Sequence, residues 1–132
     1  GSGQRMGKKS PKAFLPLNGD PLFLHSVRTF ASVGAVGEII LVCPEKSISR
    51  LEKRFGKVLC QLKVTKIVPG GAKRQDSVKK GLSFASSDSD IILVHDAARP
   101  FVSATLIRKV AKDREPDDGG RDDLEVTKRR QQ

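Results

Sequence analysis

Twelve residues, Gly1-Ser2-Gly3-Gln4-Arg5-Met6-Gly7-Lys8-Lys9-Ser10-Pro11-Lys12, set three glycines among four cations. Glycines let backbone N–H groups turn toward an anion at close range, since no Cβ blocks the approach. Arg5 is suited to fork onto phosphate oxygens, and Lys12 adds a point charge. The spacing matches neither common phosphate loop. A P-loop places four residues between its glycines and follows the second with Lys-Ser/Thr. Gly3 and Gly7 have three residues between them, and Lys8 is followed by Lys9. The same gap is one residue too wide for the dinucleotide fingerprint G-x-G-x-x-G. What remains is a third form, G-x-G-x-R-M-G…P-K. Read alone, the segment fits an anion-binding loop and a solvated basic tail led by an expression scar equally well.

Two further segments carry chemistry-bearing residues. Pro69-Gly70-Gly71-Ala72-Lys73-Arg74-Gln75-Asp76-Ser77-Val78 joins an extended run to a helical pattern. Its glycines are able to bring backbone against a flat ligand such as a base, or simply to make a strand-to-helix turn. Asp76 and Ser77 fall in the first helical turn, where capping accounts for both without a ligand. Asp96 follows the apolar run Ile91-Ile92-Leu93-Val94-His95. A carboxylate there holds a Mg²⁺ ion or a ribose hydroxyl, or forms an Asx turn. No Ser/His/Asp set, His/Cys metal cluster or suggestively placed Cys nucleophile is present. Six phenylalanines with no Tyr or Trp fall mostly at core spacing and make a poor stacking platform for single strands.

Those segments need a scaffold, and the composition bounds it. The chain has 132 residues, enough for one domain, and 37% apolar content allows a modest core. No run approaches the roughly 18 apolar residues of a membrane span, and no secretory apolar stretch opens the chain. Cys43 and Cys60 form neither a C-x-x-C pair nor half of a zinc site, which fits thiols in a reducing compartment. The net charge of +10 is carried by residues 1–112, while 113–132 lean acidic. Such a basic body implies anionic partners.

The apolar periods predict the elements. Asp20 reads as the cap of a helix with Pro21 at its first position, running to about Val33 with Phe23, Val27 and Phe30 on one face. His25 falls on its flank, in a packing or surface role. Glu38–Cys43 is a continuous apolar run of the kind that suits a parallel strand covered on both faces. A helix over about Ser47–Phe55 follows, then an alternating strand over Leu62–Val68. A helix after Gly71 carries Val78, Leu82 and Ala85. Ile91–His95 reads as another buried strand, and Ser103 caps a last helix with Leu106, Ile107, Val110 and Ala111. Strands alternating with helices predict an α/β domain with a parallel sheet, whose ligands gather beyond the carboxyl ends of the strands. Gly70-Gly71 and Asp96 both lie just past strand ends, so one crevice is expected to receive both. Residues 113–132 show no apolar period and read as a disordered charged tail.

In order, Gly1-x-Gly3-x-Arg5-Met6-Gly7 with Pro11-Lys12, then Pro69–Val78, then Val94-His95-Asp96-Ala97-Ala98-Arg99-Pro100-Phe101, closely resemble the 2-C-methyl-D-erythritol 4-phosphate cytidylyltransferases. The likeness runs from Gly1 to about Lys112. It implies a Rossmann-like nucleotidyltransferase sheet, mostly parallel, with helices on both faces, in a cytoplasmic and homodimeric enzyme of isoprenoid precursor synthesis. The substrates implied are CTP and methylerythritol phosphate, with Mg²⁺ as cofactor and neither membrane nor nucleic acid as partner. By the same resemblance Arg5 and Lys12 are the catalytic cations, and Gly1, Ser2, Gly3 and Gly7 cradle the triphosphate. Gly71, Ala72 and Ser77 read the cytosine. Asp96 holds metal, ribose or substrate, and Arg99 lies near the substrate. The ribitol-5-phosphate cytidylyltransferases are near relatives, but they tend to carry Asn-Glu-Thr-Ile and His-Asp-Ala-Val where this chain has Gln75–Val78 and His95–Ala98.

The family's pattern begins with a buried strand ending Ala-Ala-Gly and continues for roughly another hundred residues, on the scale of a further half-domain. Neither stretch is in this sequence. The expectation is therefore an N-terminal portion, residues 1–112, with little or no turnover by itself. A non-catalytic remnant that binds nucleotide or an anionic polymer is the other reading.

Overall fold

The computed structural model describes residues 12–88, 91–97, 102–113 and 124–128. Its described parts fall into two compact units, one formed by Lys12 with Gly37–Ala85 and the other by Ala13–Val36 with the described residues from Ser86 onward.

The first unit is a β–α–β crossover with one more helix. Strand β3 (Ile39–Cys43) leads into helix α2 (Glu45–Gln61), strand β4 (Val64–Pro69) and helix α3 (Arg74–Ser83). β3 and β4 pair in parallel, from Ile39 opposite Val64 to Cys43 opposite Pro69, with an irregularity between Ile39 and Ile40. Gly70 extends this pairing one step, its N–H donating to the Cys43 carbonyl at 2.8 Å. Parallel neighbours need a crossover, and α2 supplies it. The helix has apolar residues at Ile48, Leu51, Phe55 and Leu59, and buries Leu51 and Leu59. Each buried leucine contributes roughly 1.5–3 kcal/mol by leaving water.

Successive strand residues point to opposite faces, and β3 uses both. Val42 faces α3, where a Cβ built on Gly81 would meet its Cγ2 at 3.0 Å. The next residue, Cys43, is buried on the other face, close enough to Glu52 of α2 for that carboxylate to act on its thiol. Helices therefore cover both faces of this pair. Helix α2 is longer than the sequence pattern indicated at both ends. Its cap residue Leu62 is followed by Lys63 at φ 69°, so the strand begins at Val64 rather than at Leu62. Helix α3 buries no residue fully, and Ala85 lies beyond its end.

A single 3₁₀ turn, Lys12–Phe14, leads into the second unit and its short hairpin, β1 (Pro16–Leu17) against β2 (Asp20–Pro21). Asn18 and Gly19 link the two with φ of 53° and 88°. Two-residue hairpin turns favour this left-handed backbone, which Asn-Gly supplies at little cost. The hairpin corrects one expectation. Asp20 is a strand residue in an ion pair with Arg28 at 3.6 Å, while Pro21 occupies the cap position without a side-chain cap bond. Helix α1 (Leu22–Ala31) buries Leu22, Phe23, Leu24, Ser26 and Val27. His25 Nε2 donates to the Leu17 carbonyl at 2.6 Å, pinning the helix to the hairpin in the packing role its position suggested.

Strand β5 (Ile91–His95) pairs antiparallel with β6 (Leu124–Lys128), His95 opposite Leu124. Helix α4 (Ala104–Asp113) is capped as expected, the Leu106 N–H donating to Ser103 Oγ at 3.0 Å. Val33, Val102, Ile107, Val110 and Leu124 form the core of this unit. Leu124 is 4% exposed, so the expectation of a structureless tail does not hold for residues 124–128. The alternation Leu124-Glu125-Val126 places two apolar residues on one face, and β5 pairs with the backbone groups of β6 that face it. The remainder of the tail lies outside the described residues.

The α/β class stands as expected. The strands are distributed over three two-stranded pieces, β1–β2, β3–β4 and β5–β6, and only β3–β4 is parallel among the described residues. No described helix is long and apolar enough to cross a membrane.

Candidate nucleotide site

The Gly-Gly turn lies where β4 hands over to α3. Gly70 closes the ladder onto β3, and Gly71 then turns back toward the helix, its N–H donating to Ser77 Oγ at 3.1 Å. Two residues on, the Lys73 N–H donates to Asp76 Oδ2 at 3.3 Å, and the Ser77 N–H donates to the Lys73 carbonyl at 3.1 Å. Asp76 and Ser77 thus cap the turn and the helix start, as their positions predicted.

The packing at this turn explains the glycines. A Cβ on Gly70 would lie 2.6 Å from Ser77 Oγ and 3.3 Å from Val42 Cγ1, and one on Gly71 would collide with the Asp76 side chain. No side chain fits between this backbone and the helix behind it. On the outward side, Ala72, Lys73, Arg74 and Gln75 are exposed. The Gly71 and Lys73 N–H groups are engaged by Ser77 and Asp76, while the residues around them face solvent. A hydroxyl has one proton and two acceptor positions, so Ser77 retains its own O–H donor after accepting from Gly71.

Asp96 belongs to the other unit, where it is exposed directly after β5. The preceding imidazole, that of His95, lies 3.2 Å from Ser26 Oγ and packs against the Phe30 ring. Sequence reading did not single out His95. The available signal was an imidazole ending an otherwise apolar strand. Among the described residues, no group of three or more His, Cys, Asp or Glu converges as a metal cage.

Gly1, Ser2, Gly3, Arg5, Gly7 and Arg99 lie outside the described residues, and Lys12 opens the 3₁₀ turn. Gly71, Ala72 and Ser77 are brought together in one turn. Asp96 is placed within its own unit.

A parallel strand pair that opens through a tight Gly-Gly turn into a helix defines the α/β class whose ligands sit beyond the carboxyl ends of the strands. Within that class, a solved structure of 4-diphosphocytidyl-2C-methyl-D-erythritol synthase from Anaerococcus prevotii superposes with a TM-score of 0.67 at 24% identity, over 77% of this chain and 44% of that one. The family model for 2-C-methyl-D-erythritol 4-phosphate cytidylyltransferase matches residues 1–126. The chain belongs to this family. The enzyme of that name from Leptospira interrogans is 45% identical over 118 residues, covering 86% of this chain and 49% of the relative. The chloroplastic enzyme of Oryza sativa is 41% identical over 113 residues, covering 86% and 37%. One from Clostridium botulinum is 44% identical over 112 residues, covering 85% and 49%. The chain spans about half the length of the curated relatives it matches, or less.

Proposed function

We propose that these residues are the nucleotide-handling portion of an enzyme that transfers a cytidylyl group from CTP to 2-C-methyl-D-erythritol 4-phosphate. The observation that carries this reading is the Gly70-Gly71 turn, locked by the 3.1 Å bond from the Gly71 N–H to Ser77 Oγ, in a chain of this family. Backbone groups of Gly71 and Ala72 with the Ser77 hydroxyl would meet the edge of the cytosine, a fixed hydrogen-bonding surface that distinguishes it from a purine.

In the reaction an oxygen of the acceptor phosphate attacks the α-phosphorus of CTP in line. A new P–O bond forms, the bond from the α-phosphorus to the bridging oxygen breaks, and pyrophosphate leaves with the electron pair. Both reactants are anions, so the protein's work is to position them and to offset charge that grows on the equatorial oxygens. Arg5 and Lys12 are assigned that task, with the loop of Gly1, Ser2, Gly3 and Gly7 around the triphosphate, and Arg99 is assigned to the acceptor.

Mg²⁺ typically takes one or two carboxylates and completes its shell with substrate phosphates and water. Asp96, an exposed carboxylate beyond a strand end, is a donor of that kind. It would hold the ion or the acceptor, and the ion when bound would neutralise part of the triphosphate charge. The working enzyme is proposed as a homodimer.

The test is pyrophosphate release with CTP, methylerythritol phosphate and Mg²⁺. Residues 1–112 are grafted in place of the matched segment of the Leptospira interrogans relative, beside the 132-residue chain alone. The graft is expected to turn over methylerythritol phosphate and to prefer it to ribitol 5-phosphate. A folded graft that releases no pyrophosphate supports the non-catalytic remnant, and equal use of ribitol 5-phosphate reassigns the substrate.

A further inference from the structure

Ser26 is the buried polar side chain of the described core, 3% exposed on the inner face of α1. A hydroxyl withdrawn from water needs a hydrogen-bonding partner, and Ser26 Oγ lies 3.2 Å from His95 Nε2. In either imidazole tautomer this contact holds, with the hydroxyl donating to the ring nitrogen or the ring N–H donating to the hydroxyl oxygen. Phe30, one turn further along the same face of α1, packs on that ring with centroids 5.3 Å apart and planes inclined at 54°. Helix α1 thus meets the imidazole twice, through a polar contact at Nε2 and a tilted ring contact, and the polar contact spans 69 residues of sequence.

His95 is the last residue of β5, and the next is Asp96, exposed beyond the strand end. The peptide between the two α-carbons is planar and leaves only the ψ of His95 and the φ of Asp96 free across it, so holding His95 confines the point from which the Asp96 side chain departs. Apolar burial alone would be served as well by Phe or Leu at position 95. A serine in the core of α1 aimed at an imidazole is a costlier arrangement, and it fixes one geometry rather than merely filling space.

We propose that Ser26 and His95 are a positioning pair that orients Asp96 for its ligand. The proposal rests on the reading of Asp96 as the carboxylate that would hold the metal ion bound with CTP. Catalytic groups tolerate little displacement, and a shift on the order of 1 Å costs roughly a hundredfold in rate.

The test uses the 132-residue chain, read by amide hydrogen exchange along β5 and by titration with CTP in the presence of Mg²⁺. Ser26→Ala and His95→Phe both remove the hydrogen bond, and His95→Phe keeps a ring against Phe30. Each is expected to speed exchange at His95, Asp96 and Ala97 by about tenfold, with Ile92 and Leu93 within about twofold, as for a local opening. Each is also expected to weaken CTP binding in the direction of Asp96→Asn. His95→Gln keeps a polar group near the former Nε2 and is expected to restore most of both. If His95→Phe behaves as the parent and His95→Gln does not, the imidazole is only packing and the proposal fails. Uniform acceleration along all of β5 overturns it as well. If Asp96→Asn leaves CTP binding unchanged, the reading of Asp96 falls and the pair has nothing to orient. That result is distinct from intact Asp96 dependence with silent pair variants, which overturns the pair alone.

Discussion

Ser77 Oγ accepts the Gly71 N–H at 3.1 Å, so the hydroxyl that is proposed to read a base also holds the turn that presents it. Structure and recognition share one atom here, which links the stability of the turn to its selectivity. Ser77→Ala removes the acceptor and leaves a partly buried N–H without it, costing roughly 0.5–1.5 kcal/mol. The larger effect is expected in binding, where the preference for CTP over ATP should fall toward parity. Gly71→Ala is more severe, since the new Cβ meets the Asp76 side chain and must displace the start of α3. Overpacking of this kind costs roughly 1–3 kcal/mol. Urea unfolding and parallel titrations with CTP and ATP check both variants. Equal affinities in the parent chain would remove the base-reading role altogether.

Lys63 stands at φ 69°, in the left-handed region just beyond the cap of α2. Helices commonly end in this conformation, but glycine adopts it without the crowding of a Cβ that costs other residues about 1–2 kcal/mol. Lys63→Gly is therefore expected to stabilise the chain by about 0.5–1 kcal/mol, after allowing for the greater freedom of glycine in the unfolded state. A rise in Tm of the purified variant checks this, and a fall would mean that the lysine side chain holds the helix end in other ways.

The same residue shows where sequence patterns stop being informative. Lys63 fits the polar phase of an alternating strand, and only the backbone reveals that the chain is still leaving a helix there. The runs Ile39–Cys43 and Ile91–His95 were legible because continuous apolar stretches bounded by Pro44 and by Asp96 leave little choice. The parallel neighbour of the first follows from the strand–helix–strand alternation, but the partner of the second was not legible. The run at Ile91–His95 suits a parallel neighbour, yet β5 pairs antiparallel with β6. The acidic surroundings of Leu124 hid a strand that one good neighbour is enough to order. Asp20 misled because a carboxylate before proline signals a helix cap more strongly than Asn18-Gly19 signals a hairpin as short as this one. The Gly70-Gly71-to-Ser77 turn lies within a few residues, so local chemistry exposed it. The Ser26–His95 contact spans most of the chain, and no local pattern encodes it.

Cys43 offers a pH-dependent check on the first unit. Burial, and then the nearby Glu52 carboxylate, push its thiol up from the usual 9.0 to about 11. The fold therefore disfavours the thiolate. Below the unfolded value both states keep the proton and the stabilisation is fully present. As pH rises from about 9 to about 11 the unfolded chain releases its proton first, and stability falls by on the order of 2 kcal/mol. Urea midpoints measured between these pH values should drop more steeply for the parent than for Cys43→Ala. Alkylation at neutral pH should also mark exposed Cys60 well before buried Cys43. Parallel pH slopes for the two proteins would show that the thiol does not titrate differently in the two states.

The assignment of Arg5 to catalysis rather than binding makes a separate kinetic demand. The triphosphate is already highly charged in the ground state, so a cation that merely neutralised it would lower KM and leave kcat almost untouched. A guanidinium aimed at the equatorial oxygens meets charge that grows only as pyrophosphate departs, and its removal shows in kcat. For Arg5→Ala in the Leptospira graft, kcat is expected to fall by about 10²-fold or more, with KM for CTP changed by only a few fold. Arg5→Lys should recover a minor part, because an ammonium restores the charge without the planar fork that spans two phosphate oxygens. Steady-state kinetics at saturating methylerythritol phosphate measure the division directly. A rise in KM alone, with kcat retained, would move Arg5 from the transition state to the ground state and leave Lys12 as the remaining candidate for the developing charge.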